Sequence, residues 1–217
     1  MRNRITGRKI DLKRWNRREH FLLFRKYDKP FFSATVDVDV TMLWNRSHQP
    51  RGPSFFLSSL YLMLKSANET EPFRLRLRNK GVWIHDRVAV GTPIQRPDGS
   101  YAFARVEFSG RADQFASDGE RAIAESRTRK AIALPNEGDD DIVYQSTLPW
   151  LRFTAFANAL PRGNDSIPRI AFGKCADIGG RITMPVAIEV HHAVVDGADV
   201  AAFVERFQSA LGREGTP

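Results

Sequence analysis

The sequence predicts an α/β fold: a two-layer sandwich with a mixed β-sheet and helices packed on one side. Three observations lead there. Residues 31–40 alternate, with Phe32, Ala34, Val36, Val38 and Val40 on one side and Ser33, Thr35, Asp37 and Asp39 on the other, which is the period of a half-buried strand. Residues 54–68 carry Phe55, Phe56, Leu57, Leu60, Tyr61, Met63 and Leu64, a helix apolar enough to lie on a sheet. Further along, strand-like and helix-like segments are interspersed and the strands are joined by turn signals, the order expected of a mixed sheet covered by helices.

The elements follow in chain order. Residues 13–24 suit a first helix with Trp15, Phe21 and Phe24 among its apolar positions. Thr41 caps or begins a short turn after the strand at 31–40. Residues 73–77 fit strand or helix, and 81–85 a short strand. Segments 88–94 and 101–108 are strands joined through Arg96-Pro97-Asp98-Gly99, where proline presets one turn dihedral and glycine accepts a positive φ. Residues 112–131 form a charged amphipathic helix that is expected to face solvent. An acidic loop spans 134–141. Its Asp139, Asp140 and Asp141 are expected to be solvated, not to form a metal site, because metal ligands converge from separate elements. Strands are expected at 142–146, 150–156, 168–174 and 183–191. The C-terminal helix, 198–211, places Val200, Phe203, Val204 and Phe207 on one face.

Composition narrows the function classes. The 217 residues are 42% hydrophobic and 27% charged, ordinary for a globular protein, and no Gly/Ser- or Pro-rich tract divides them, so a single domain over 1–217 is expected. The one cysteine, Cys175, excludes an intramolecular disulfide and a zinc site built on paired cysteines. No apolar run approaches the roughly 18 residues a membrane span needs, and the first residues are polar, so no membrane partner and a cytoplasmic location are expected. The formal charge is +8, with a pI near 10.0. Its carriers are scattered (Arg2, Arg4, Arg8, Lys9; Arg74, Arg76, Arg78, Lys80) and not interleaved with aromatics, so no nucleic acid is expected. Such a surface does raise the local concentration of an anionic ligand.

The most informative segment is His191-His192-Ala193-Val194-Val195-Asp196-Gly197, between the last strand and the last helix. A strand end is a rigid mount, as a general base requires, and histidine titrates at about 6.5, close to neutrality. This segment resembles the His-His-x-x-x-Asp-Gly motif of the chloramphenicol acetyltransferase family. Two more segments resemble that family, in order and spacing: Trp15-Asn16-Arg17-Arg18-Glu19-His20-Phe21, and Ser146-Thr147-Leu148-Pro149-Trp150-Leu151-Arg152-Phe153-Thr154-Ala155-Phe156. The similarity runs from about Ile5 to about Gln208 and is weakest between Gly91 and Tyr144.

The resemblance implies a CoA-dependent acyltransferase that uses acetyl-CoA as co-substrate, with no permanently bound cofactor and no metal. His192 would be the base, one ring nitrogen held by its own backbone carbonyl, while His191 serves packing or hydrogen bonding. Asp196 would form a buried ion pair with Arg18 that fixes the loop aiming His192, leaving Arg17 on the surface. Ser146 would donate to the oxyanion and help hold the thioester. The family's water-linked threonine is replaced by Ala171, and its Tyr-Pro pair by Phe55-Phe56. Lys174 and Trp150 would lie along the CoA path. Phe24, Phe31, Phe103, Tyr144, Phe156 and Asn158 would line the acceptor pocket, with Tyr144, Asn158 and Val195 departing from common family residues. A homotrimer would set His192 of one subunit against its neighbour's pocket. The acceptor is then chloramphenicol or a related amphipathic alcohol, or alternatively another hydroxyl or amine. A non-catalytic nucleic-acid binder, suggested by the charge, and a lipoamide acyltransferase core, which needs lipoyl and subunit-binding regions upstream, are the competing readings.

Overall fold

A computed structural model describes residues 7–132, 139–161 and 165–213. In chain order the described elements are β1 (Gly7–Lys9), α1 (Arg18–Phe24), β2 (Phe31–Asp39), α2 (Thr41–Ser47), α3 (Phe55–Glu69), a 3-10 turn (Glu71–Arg74), β3 (Leu75–Arg78), β4 (Gly81–His85), β5 (Ala89–Gln95), β6 (Tyr101–Val106), α4 (Ala112–Thr128), β7 (Ile142–Thr147), β8 (Arg169–Phe172), β9 (Ala176–Ile178), β10 (Arg181–His191) and α5 (Gly197–Leu211). Seven strands form the main sheet in the order β2-β10-β8-β7-β5-β6, with β9 also paired to β10; β1-β4-β3 form a small second sheet. The main sheet is mixed: β5, β7 and β8 run parallel, and the remaining pairs are antiparallel.

The pleat of the main sheet separates two faces. Val186, Ile188 and Val190 of β10, with Ile170 and Phe172 of β8 and Val143 of β7, join Leu60, Phe203 and Phe207 of the helices in one buried core. Phe172 stacks on Phe207 at 5.8 Å, so α5 lies directly on β8. Alternate residues point away from the helices: Ala187, Glu189 and His191 on β10, Arg169 and Ala171 on β8, Tyr144 and Ser146 on β7. The segment 148–161 crosses this second face. Arg152 reaches Asp37 of β2 at 2.7 Å, the Lys174 N–H bonds the Leu151 carbonyl at 2.8 Å, and a Cβ on Gly173 would lie 2.9 Å from the Phe153 ring. Only glycine permits that close approach.

The structure changes several expectations. The first helix begins at Arg18, not at 13, because Arg14 and Arg18 close separate turns onto Asp11 and Trp15. Residues 150–156 are not a strand: β7 and β8 already pair with each other, no edge is open beside them, and the segment is diverted over the sheet. The helix α4 is not wholly solvent-facing. Phe115, Gly119 and Ser126 are buried, and a Cβ on Gly119 would meet Leu57 of α3 at 2.7 Å. Asp140 and Asp141 are not solvated. Asp140 is held by Arg78 and by His85 at 2.8 Å, and Asp141 takes both arms of Arg105 at 3.1 and 3.0 Å. The core of the acidic loop, 133–138, lies outside the described residues. The short elements β1, α2 and β9 carry too few residues to show a period.

Candidate active site

The site begins where β10 runs out. His191 makes the last ladder pair, opposite Phe31. The chain then turns, and the N–H groups of Val194 and Val195 both bond the His191 carbonyl at 3.1 Å. The His191 ring is buried, edge-on to Phe31 at 5.1 Å, and its Nδ1 accepts the Ala193 N–H at 3.1 Å. Burial pushes its pKa down to about 4, so it is neutral near pH 7. It packs and hydrogen-bonds, as the sequence suggested.

His192 is fixed from three directions. Its N–H bonds the Pro30 carbonyl at 2.7 Å. Its ring stacks on Phe24 with centroids 3.9 Å apart and lies 4.7 Å from Phe32 and 5.1 Å from His20. Its carbonyl is met by His20 Nε2; a carbonyl only accepts, so His20 carries its proton on Nε2. This differs from the expectation that the carbonyl would hold the His192 ring. The ring's Nδ1 is buried and has no hydrogen-bond partner among the described residues.

The expected Arg18–Asp196 pair is not formed; Arg17 makes it instead. Arg17 bonds Asp196 at 3.0 Å and Asp199 at 2.5 Å, with all three side chains partly buried. Arg18 is exposed and pairs with its neighbour Glu19. The reason is the late start of α1: Arg17 precedes the first helical turn and points back at the start of α5, while Arg18 faces out. Asp196 is the N-cap of α5. It accepts from the Ala198 and Asp199 N–H groups while Asp199 reaches back to the Asp196 N–H, a reciprocal capping box. Burial opposes its ionisation, but the Asp199 N–H, Arg17 and the Ala198 N–H outweigh that and hold its carboxyl below the usual range. Asp196 thus sets the loop 192–197, and its recorded partners do not include the imidazole.

Ser146 lies elsewhere on the sheet. It pairs across with Ala171, which pairs with Ala187. From Ala187 to His192 is five residues, roughly 16 Å along the strand, and Ser146 is two strands or roughly 10 Å across. The two side chains cannot meet within one chain. Beneath Ser146, on the helix face, buried Gln145 accepts from Thr92 at 2.9 Å and donates to the Ser146 carbonyl and the Thr147 hydroxyl, both at 2.8 Å. Trp150 is 69% exposed and Lys174 is exposed; both sit at the Ser146 end, joined through Leu151. The pocket candidates divide likewise. Phe24 touches His192, and Phe31 touches His191. Phe103 and Tyr144 lie 6.2 Å apart, Phe156 packs on Phe153 at 5.4 Å, and Asn158 bonds Glu189. Sequence reasoning missed Arg17, His20 and Phe32 as site residues, although the first two stand inside the Trp15–Phe21 segment.

A family model described as chloramphenicol acetyltransferase matches residues 6–208. The chain belongs to this family. Among similar proteins, chloramphenicol acetyltransferase 2 of Escherichia coli is 29% identical over 203 residues, covering 92% of this chain and 94% of that protein. The chloramphenicol acetyltransferase of Proteus mirabilis is 29% identical over 201 residues, covering 92% of each. A solved chloramphenicol acetyltransferase superposes with a TM-score of 0.81 at 27% identity, covering 94% of this chain and 99% of that one. The dihydrolipoamide acetyltransferase of Azotobacter vinelandii shares the fold at a TM-score of 0.67, with 18% identity over 89% of this chain and 85% of its own. The fold class read from the sequence is therefore that of the chloramphenicol acetyltransferases, and the chain is an acetyltransferase of that family, whose members use acetyl-CoA as substrate. No described helix is long and apolar enough to cross a membrane.

Proposed function

We propose that the protein is an acetyl-CoA-dependent O-acetyltransferase in which His192 removes the acceptor hydroxyl proton for direct attack on the thioester. The supporting observation is the mounting of His192: its backbone is clamped by Pro30 and His20, and its ring is stacked on Phe24. A base held in one orientation loses little entropy when it meets its proton. In the reaction, the acceptor oxygen gives its proton to His192 and bonds the acetyl carbonyl carbon. Ser146 donates a hydrogen bond to the resulting oxyanion. Collapse breaks the carbon–sulfur bond, and the CoA thiolate takes the proton back from the imidazolium.

The separation of Ser146 from His192 within one chain supports a site shared between subunits of a homotrimer, with His192 from one and Ser146 from the next. Lys174 and Trp150, exposed near Ser146, would then guide CoA, and the basic surface would favour its phosphates. The acceptor is chloramphenicol or a related amphipathic alcohol, and the location cytoplasmic. Polar groups beside Tyr144 and Asn158 favour a second reading, a different hydroxyl or amine acceptor.

CoA thiol release from acetyl-CoA with a panel of acceptors tests this. Turnover of chloramphenicol or a like alcohol is expected, and His192→Ala should lower it by about 10²–10⁴-fold, the usual contribution of a general base. A folded His192→Ala protein with undiminished turnover would refute the assignment.

A further inference from the structure

The second face of the sheet is built in rows. Around Ser146 the row is small: Ala171 and Ala187 lie beside it. One two-residue step toward the His191 end, Tyr144, Arg169 and Glu189 stand side by side. Arg169 and Glu189 are each only 6% exposed, beneath the segment that carries Asn158.

The two charges differ in how they are met. Arg169 is neutralised: it pairs with Asp165, bonds the Ile167 carbonyl at 3.0 Å and lies over the rings of Phe31 and Tyr144. Among the described residues Glu189 has only neutral donors. Its Oε2 accepts the Asn158 N–H at 3.1 Å and the Asn158 amide at 2.9 Å, and its Oε1 accepts the Ser33 hydroxyl at 3.3 Å. Among the described residues no cation stands within ion-pair distance of it. A carboxylate offers about four acceptor positions, so one on Oε1 remains open. Among the described residues this row and Asp165 place two acidic side chains, Asp165 and Glu189, against one cationic side chain, Arg169. A buried charge without a counter-ion is costly to keep unless something supplies one.

We infer that Glu189 determines acceptor specificity by receiving a protonated amine of the acceptor alcohol, carried on the end remote from the reacting hydroxyl. This rests on Ser146 facing the thioester. Glu189 is then two strands across and two residues along, roughly 12 Å between Cα atoms, so the amine cannot adjoin the hydroxyl. Arg169 confines the aromatic part by lying over Phe31 and Tyr144.

The test uses three 3-phenylpropanols that differ in the para group: dimethylaminomethyl (cationic), isobutyl (its neutral isostere) and carboxymethyl (anionic). Each is assayed, with chloramphenicol alongside, by CoA thiol release from acetyl-CoA. The wild-type protein is expected to favour the cation over the isobutyl compound in kcat/KM by about tenfold or more, the worth of one charge-assisted hydrogen bond. In Glu189→Gln that ratio should fall to near one. Equal rates for cation and isostere in the wild type, a ratio that survives Glu189→Gln, or a preference for the anion would each overturn the inference. Turnover of chloramphenicol without discrimination among the three removes this inference and leaves the acetyltransferase reading standing. Absence of thiol release with every acceptor removes both.

Discussion

At the scale of the residue, the adjacent histidines show how the end of a strand divides two environments. His191 points into the sheet's second face, is buried and stays neutral, with its pKa pushed down to about 4. His192 lies past the last ladder pair, where the chain leaves the sheet, among Phe24, Phe32 and His20. The depressed pKa of His191 has a consequence for stability. Between its ordinary value of 6.5 and about 4 the unfolded chain takes up the proton and the folded one does not. Stability should therefore fall as pH drops through that window, by up to on the order of 3 kcal/mol. Chemical denaturation of His191→Asn at pH 7 and pH 4.5 checks this. The variant should lose less stability across the interval than the wild type, and an equal loss would contradict the assignment. The place of His192 at the end of the last strand was legible in the sequence because the motif is contiguous. Its neighbours were less so, since Phe32 lies on β2 and Pro30 just before it, some 160 residues away, and only the β2–β10 register brings them alongside.

At the scale of the element, the start of α5 is the joint on which the loop carrying His192 depends. Asp196 and Asp199 complete a capping box, and Arg17 bridges both carboxylates. Arg17→Ala should cost about 1–3 kcal/mol, because it leaves two partly buried carboxylates facing each other. Arg18→Ala should stay within about 0.5 kcal/mol, as surface changes do. Urea unfolding of the two variants measures the contrast, and the reverse order would restore the pair expected from the sequence. That pair was misassigned for a definite reason. Two adjacent arginines differ in direction by about 100° on a helix, so which one faces α5 depends on where α1 begins. Composition does not fix that point; the turns onto Asp11 and Trp15 do. The segment after Trp150 was misread for a related reason. Its alternation suits a strand, but whether a sheet edge is free to receive it is a property of the whole sheet.

At the scale of the molecule, long-range polar contacts tie separate elements together. Arg76, fully buried, gives its guanidinium to four carbonyls: Asp140 at 2.6 Å, Phe73 at 2.9 Å, Leu75 at 2.7 Å and Ile142 at 2.6 Å. It thereby joins the small sheet to the approach of β7, and burial lowers its pKa to about 10, so it stays charged at neutrality. The same approach leads to Ser146, on the opposite stretch of the sheet from His192. The separation of these two residues was not legible in the sequence, because strand order and register decide it. It also gives the most direct test of the proposed chemistry. His192→Ala and Ser146→Ala subunits, each weakly active alone, are unfolded together, refolded as a mixture and assayed for acetyl transfer. If His192 of one subunit works with Ser146 of the next, random assembly should restore about one quarter of wild-type sites. Activity no higher than the mean of the two parents, in a mixture shown to contain hybrid oligomers, would contradict a site built from both residues across a subunit boundary.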